Sequence, residues 1–217
     1  MDKKPLIGRK CLAVGIILLL VLVSLPLVSS VPIEKEQSVI SKNCFDGIII
    51  YGTLGENGWY VSDVHVSFDF PANSTIHFKI NDNGWQIYTG GPLFVNTDGL
   101  YNVSAYYVDN EGHQSPIYYA TFKIDKTLPN LTSFTVKRGG FFKWLFYANA
   151  SDKTSGINRV EFYFLHRLLS IDTHFPYEVN WTGIVFIVWW KYIRHDWTNL
   201  PHCIAYDNAG NPNVESP

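Results

Sequence analysis

The sequence predicts an all-β protein built from two β-sandwiches in tandem. From Asp46 onward, short runs of alternating apolar and polar residues follow one another, and none has helical spacing. Turn signals such as Asn83-Gly84 and Asp98-Gly99 separate the runs. Alternation places every second side chain on the buried face of a sheet, so these runs are typical of half-buried strands.

The N-terminus has the layout of a secretory signal. The first ten residues, MDKKPLIGRK, hold four basic side chains, and an apolar run and then small residues follow. This predicts a signal peptide over residues 1–30, cleaved after Ser30. The alternative is an uncleaved signal anchor, since Cys11 to Val28 is near the lower length limit for crossing a bilayer. Either way the rest of the chain is exported, to the extracellular space or the cell surface.

The charge of the exported part excludes one class of partner. Removing residues 1–30 takes away four basic side chains and Asp2, so the formal charge falls from −2 to −5. Nucleic-acid binding needs a basic surface, so we expect no nucleic-acid partner. We expect a membrane contact only through the N-terminal segment, if it stays uncleaved.

Pattern and turn signals divide the exported chain. Residues 31–45 are predicted to be a flexible lead, 46–125 the first sandwich and 129–217 the second. In the first, alternation assigns the inward positions to Val64, Val66, Phe68, Phe70, Ile76, Phe78 and Ile80.

The second sandwich is predicted to lack its last strand. After the turn DNAGN only PNVESP follows, without an alternating apolar run and with prolines that lack a backbone donor. Strand His202 to Tyr206 should then pair on one side only. The apolar stretch Ile184 to Trp190 is too short to cross a membrane and is interpreted as a buried strand.

Two cysteines, Cys44 and Cys203, remain after the signal. They could pair in an oxidising compartment, but they belong to different predicted sandwiches, which would hold them beyond disulfide reach. Their pairing stays open at this stage.

Five Asn-x-Ser/Thr sequons favour a glycoprotein in a host with the transfer machinery. All five fall on turns or on the outward side of a predicted strand: Asn73, Asn102, Asn130, Asn149 and Asn180.

Longer segments of the chain resemble a known family. The segments NGWYVSDVHVSF, WQIYTGGP, DGLYNVSAYYVDNEG and KIDKTLP, and then SDKTSGINRVEFYF, FPYEVNW and IAYDNAGN, resemble the Ig-like, fibronectin-III-like modules repeated in bacterial and archaeal cell-surface proteins. The resemblance implies tandem Ig-like sandwiches that serve as stalks, spacers or adhesive units. The first module departs from the pattern at His113, where its type has asparagine.

Two loops offer oxygen ligands that suit calcium. The candidate ligands are Asp152, Asp207, Asn208 and Asn211. The simpler interpretation is that Asp and Asn cap turns through their own backbone, which we favour. No other cofactor is predicted.

No motif points to catalysis. The seven histidines, His65, His77, His113, His166, His174, His195 and His202, show no metal-ligand spacing, and no G-x-S-x-G nucleophile motif occurs. We therefore predict a protein that is not an enzyme, although a site without a motif is not excluded by sequence.

Aromatic residues divide between core and surface. Trp59, Trp85 and Trp144 are predicted to be central in the cores. Adjacent tyrosines on one strand must point to opposite faces, which predicts an outward patch of Tyr106 and Tyr119 for a ligand, a neighbouring module or solvent.

These observations favour a non-enzymatic extracytoplasmic surface module with a structural, adhesive or partner-binding role. Its partners would be other surface proteins or glycans. The alternative is a carbohydrate-binding accessory module of a secreted polymer-degrading system. A coplanar set of exposed aromatic rings would favour that alternative.

Overall fold

The computed structural model describes residues 39–140, 142–164, 167–183 and 201–215. Their secondary structure is β-strand apart from a single 3-10 turn at Glu56–Gly58, which confirms the predicted all-β fold. No helix among these residues is long and apolar enough to cross a membrane. The predicted signal (1–30) and the apolar stretch Ile184 to Trp190 lie outside the described residues.

The first sandwich contains two antiparallel four-stranded sheets, ordered β1-β2-β3-β6 and β5-β4-β7-β8. Its strands are β1 Val39–Phe45, β2 Ile48–Leu54, β3 Val64–Phe68, β4 Thr75–Ile80, β5 Gln86–Ile87, β6 Leu93–Val95, β7 Gly99–Val108 and β8 Tyr118–Ile124.

Strand parity in the first sandwich agrees with the alternation of the sequence. Val64 and Val66 on β3 are fully buried, and Phe78 on β4 is 6% exposed. They pack with fully buried residues of β2 and β7, while Phe68, Phe70 and Ile80 border the same core. Burial of these side chains is the main stabilising contribution to the sandwich.

The second sandwich pairs a three-stranded sheet, β13-β10-β9, with a four-stranded one, β12-β11-β14-β15. Phe146 and Phe162 are fully buried at its centre and meet with ring centroids 6.4 Å apart. The strands are β9 Asn130–Gly140, β10 Lys143–Ser151, β11 Ile157–Phe164, β12 Arg167–Asp172, β13 Tyr177–Thr182, β14 His202–Asp207 and β15 Pro212–Glu215.

The prediction that the second sandwich lacks its last strand is wrong. Strand β14 pairs with β11 on one side and with β15 on the other, in the register Ile204↔Val214. Pro212 is tolerated because it is the first residue of an edge strand, where a missing donor costs no ladder bond. Asn213 adds a polar anchor by donating to the carbonyl of Pro129 at 2.8 Å.

The predicted flexible lead (31–45) is also too long. Its second part forms β1, which pairs with β2 from Val39↔Leu54 to Phe45↔Ile48. The polar composition that indicated flexibility is compatible with an edge strand, which needs no continuous apolar face. The first sandwich therefore begins before Asp46.

Candidate functional site at the joint between the sandwiches

The two sandwiches meet through the connection between them and two loops of the second sandwich, 152–156 and 207–211, which the sequence offered as calcium candidates. Strand β8 ends at Ile124 and β9 begins at Asn130. The 3-10 turn Glu56–Gly58 lies next to this connection, because Tyr60 donates to the carbonyl of Lys123 and accepts from the amide of Asp125. We call this region, with the loops of the second sandwich that contact it, the joint.

Backbone contacts cross the joint directly. The amide of Glu56 donates to the carbonyl of Ala209 at 2.8 Å, and the side chain of Asn57 donates to the carbonyl of Asn208 at 3.0 Å. Ala209 is fully buried. A Cβ atom on Gly55 would lie 2.2 Å from the Ala209 carbonyl oxygen, so glycine is needed for this close approach.

An ionic network crosses the joint beside these backbone bonds. Arg159 Nη1 donates to Glu56 Oε2 at 3.1 Å, and its Nε donates to Glu161 Oε1 at 2.8 Å. The guanidinium lies 3.9 Å from the ring centroid of Tyr206, a cation–π contact. Asn158 donates to the same Glu56 oxygen at 3.1 Å. Arg159 therefore links both sandwiches while compensating a buried carboxylate.

Three carboxylates also converge at the joint. Oxygen atoms of Asp125, Asp152 and Asp207 all lie within 4.8 Å of one another, and Asp125 and Asp207 are fully buried. No Lys or Arg of the described residues forms an ion pair with them. We call these three residues the aspartate cluster.

Backbone amides hold the aspartate cluster in place. Asp152 Oδ1 accepts from the amides of Thr154, Ser155 and Gly156, which closes the loop after β10. The Ser155 amide also donates to Asp125 Oδ2 at 3.0 Å, so one amide joins the two sandwiches.

Burial raises the pKa of Asp125 and of Asp207, and repulsion within the cluster adds to both shifts while hydrogen bonds oppose them. Three carboxylates at these distances repel one another unless protons or a cation bind to them. Calcium is one cation that prefers oxygen ligands.

The structure brings the two aspartates of the four calcium candidates into one cluster, and Asn211 contacts that cluster through Asp207 Oδ2 at 2.8 Å. Asp152 and Asp207 lie in the aspartate cluster, whereas the amide nitrogens of Asn208 and Asn211 serve as donors to loop carbonyls and to Asp207 Oδ2. Sequence reasoning missed Asp125. Its position at the end of the last strand before the connection was the available signal.

The predicted aromatic patch of Tyr106 and Tyr119 lies on one outward sheet face, where His77 and Trp85 flank Tyr106. Tyr119 is 67% exposed, and Tyr106 stacks on His77 with centroids 4.7 Å apart. Trp85 meets Tyr106 at an interplanar angle of 70°. His77 and Trp85 cover part of the Tyr106 ring, whereas Tyr119 stays open, so a ligand role of this patch stays a prediction.

Trp59 and Trp144 are buried as predicted, whereas the core position predicted for Trp85 is wrong. Trp85 is 41% exposed. It precedes the two-residue strand β5 on the outward face, where the Lys79 ammonium lies 5.3 Å from its ring. The short strand leaves no inward position for such a large ring.

All five sequon asparagines are exposed: Asn73, Asn102, Asn130, Asn149 and Asn180. A glycan could reach each of them, and their glycosylation stays a prediction.

His65 and His77 lie on opposite sheets, so they do not converge on a metal. His166 and His195 fall outside the described residues. Cys203 is a free, fully buried thiol.

Part of the chain is similar to a known family of domains. Residues 120–205 match the family model of a bacterial Ig domain, which covers the connection and most of the second sandwich. No curated protein matches the chain.

Three solved structures match the chain at low sequence identity and low TM-score. Fibronectin(III)-like modules of CbhA from Clostridium thermocellum are 18% identical over 82% of this chain and 91% of theirs, with a TM-score of 0.37. Domains FN1–FN3 of chicken CNTN1 are 11% identical over 83% and 67%, with a TM-score of 0.33. A 1.5-MDa bacterial ice-binding adhesin is 10% identical over 82% and 64%, with a TM-score of 0.32. The strand order shows two antiparallel β-sandwiches in tandem, and residues 120–205, which include most of the second sandwich, are similar to a bacterial Ig domain.

Proposed function

We propose that the chain is a rigid, non-enzymatic spacer of a cell-surface protein, which holds its two modules at a fixed angle outside the cytoplasm. The observation that carries this proposal is the joint, where backbone bonds, the Glu56–Arg159 pair and the aspartate cluster all connect the modules. Contacts between domains of one chain permit relative motion by default, unless the interface is extensive.

The chemistry of the joint supports rigidity. Glu56 uses both its amide and its carboxylate, so the first module is held by its backbone and its side chain at one residue. Ala209 and Asp207 are fully buried in the contacting turn, which leaves little space for a change of angle. A spacer of this kind presents partners, such as other surface proteins or glycans, without acting on them.

Within this proposal, calcium is the cation that the aspartate cluster would hold. Three carboxylates without a Lys or Arg partner in the described part of the chain repel one another, and a divalent cation with oxygen ligands removes that repulsion. Because Asp125 belongs to the first module and the other two to the second, bound calcium would stiffen the joint.

Small-angle X-ray scattering of the full chain tests the proposal. A rigid joint predicts one angle between the modules, unchanged with temperature below unfolding. Gly55→Ala should broaden the distribution of angles, whereas Gly84→Ala, which meets no atom within 4 Å, should not. A wild-type chain that already samples many angles would contradict a spacer role.

A further inference from the structure

A groove of about 320 Å³ lies on the outward face of the first module, over strands β4, β7 and β8. The residues that line it all fall within the described range 39–140. Two neighbouring rows of side chains cross these strands in register. One row is Lys79, Ser104 and Tyr119, and the other is Asn81, Asn102 and Thr121.

Strand parity places these side chains on the groove's side of the sheet. Val103 of β7 and Ala120 of β8 are buried in the core, so Ser104 and Tyr119 next to them face outward. Ser104 lies directly between Lys79 of β4 and Tyr119 of β8. The two longer neighbours explain why this outward serine is only 6% exposed.

The polar side chains of the groove are available to a ligand. The Ser104 hydroxyl makes no hydrogen bond with any described residue, although a buried polar group is costly without a partner. Three exposed side chains of the groove also make none within the described part of the chain: Asp82, Asn102 and Thr121. Together these residues offer hydroxyl, amide and carboxylate groups, which include both donors and acceptors.

Tyr119 adds an open aromatic ring to this set. It is 67% exposed and makes no ring contact with any described residue. A tyrosine ring offers an apolar face while its hydroxyl stays in water. Tyr106, which His77 and Trp85 flank, does not line the groove. The ring that a ligand would meet here is therefore that of Tyr119.

The groove continues along β7 and β8 toward the joint. A second depression, of about 400 Å³, shares Asn102 and Thr121 with it and includes Leu100 and Lys123. The Lys123 ammonium is engaged there, 4.8 Å from the ring centroid of Trp59. From Tyr119 to Lys123 the strand advances by about 13 Å. This length suits a chain of linked units better than a single small molecule.

We propose that this groove binds a neutral oligosaccharide strand. Sugar rings have apolar C–H faces and many hydroxyls, which match the Tyr119 ring beside the polar groups of Ser104 and Asn102. Lys79 and Asp82 are the charged residues that line the groove, and their opposite signs favour a neutral ligand. A peptide would instead need a free strand edge or apolar pockets for its side chains. Pockets of this volume are large enough for such ligands.

The proposal is independent of the rigid-spacer role, because the residues that line the groove lie outside the joint. Asn102 is also a predicted glycan acceptor, and a glycan attached there would occupy the same groove. The test therefore uses the full chain produced in a host without N-glycosylation.

Affinity electrophoresis in gels that contain polysaccharides tests the proposal. The neutral probes are hydroxyethylcellulose, glucomannan and arabinoxylan, and polygalacturonate is the charged control. We expect at least one neutral probe to retard the chain and polygalacturonate to retard it less. Failure of all three neutral probes, or retardation by polygalacturonate alone, would overturn the proposal.

Variants locate the binding in the groove. Tyr119→Ala should weaken it about tenfold, because the ring supplies the apolar contact. Phe94→Ala is the matched control, since Phe94 is equally exposed, at 67%, but lies on β6 of the opposite sheet. Ser104→Ala removes only the hydroxyl and should weaken binding about fivefold. Thermal unfolding of each variant checks that its fold is intact, and equal binding by the Tyr119→Ala and Phe94→Ala chains would exclude the groove as the site.

Discussion

Arg159 of the second module and Glu56 of the first form an ion pair across the joint, with Nη1 and Oε2 3.1 Å apart. Arg159 also donates to Glu161, which is 8% exposed. One guanidinium thus serves the connection between modules and the compensation of a buried charge. Its planar shape with several donors suits two carboxylates at once, which lysine does not match.

Replacing Arg159 should therefore both loosen the joint and destabilise the second module. Arg159→Ala leaves Glu161 without its charged donor, and we expect a loss of about 1–3 kcal/mol in the free energy of unfolding. Arg167→Ala removes an exposed arginine of the same module and should cost no more than about 0.5 kcal/mol. Chemical denaturation measures both. Equal losses for the two variants would show that Arg159 has no special role.

Gly55 should tolerate no side chain. In Gly55→Ala the new Cβ would lie 2.2 Å from the Ala209 carbonyl oxygen and 2.6 Å from Val61 Cγ1, so the backbone must shift. Overpacking of this kind costs about 1–3 kcal/mol. Gly84→Ala is the matched control, because its Cβ meets no atom within 4 Å. Thermal unfolding of the two variants gives the comparison, and an unaltered midpoint for Gly55→Ala would contradict the close contact.

The aspartate cluster should make stability depend on pH and on calcium. The pKa values of Asp125 and Asp207 are raised in the folded chain, mainly by burial. A raised pKa means that the folded state holds its proton more tightly. This stabilising contribution is complete when the pH lies below the pKa of an unfolded aspartate, about 3.9. It is lost as the pH rises through the pKa values that Asp125 and Asp207 have in the folded chain.

Calcium should replace the proton at neutral pH. We expect calcium to raise the unfolding midpoint at pH 7, with a concentration dependence set by its affinity, and to have no effect in acid, where the carboxyls are protonated. Asp207→Asn should abolish the calcium response, and the exposed Asp82→Asn should keep it. If calcium leaves the unfolding midpoint unchanged at neutral pH, the aspartate cluster does not bind calcium. Protons alone would then relieve the repulsion among its carboxylates.

Glycosylation should follow the exposed sequons. In a host with the transfer machinery, the mass of the chain should exceed that of its polypeptide, and Asn73→Gln or Asn149→Gln should each remove one glycan. Both asparagines are exposed, Asn73 in a turn and Asn149 on the outward side of β10. Intact mass spectrometry measures the difference. Asn81→Gln changes an exposed asparagine outside any sequon and should leave the glycan mass unaltered.

The part of the fold that could be predicted from the sequence is the part with a regular alternation of apolar and polar residues. The alternation around Val64 and Phe78 fixes which side chains enter the core, because a shift by one residue would expose them all. Edge elements escaped this reasoning. Strand β1 and strand β15 need no apolar alternation, since an edge strand is held by one ladder and by anchors such as Asn213.

The joint was predictable only in part for a related reason. Asp152 and Asp207 stood out as turn-forming aspartates with several oxygen neighbours in sequence. Asp125 looked like the end of a strand, and Glu56 and Arg159 lie about a hundred positions apart with no local pattern. Long-range contacts depend on how modules dock, which short-range periodicity does not encode.

Strand β15 gives the last prediction, because it corrects the expectation of an open edge. Deleting residues 212–217 should expose the backbone donors and acceptors of β14 that now pair from Cys203↔Glu215 to Tyr206↔Pro212. The lost ladder, together with the lost bond from Asn213 to Pro129, should destabilise the second module by about 1–4 kcal/mol. An uncovered edge also templates pairing with other chains, so the truncated protein should aggregate faster on heating. Deleting only 216–217 leaves the described strand intact and is the matched control. Light scattering during a thermal ramp compares the two, and equal aggregation would show that β15 does not protect the edge.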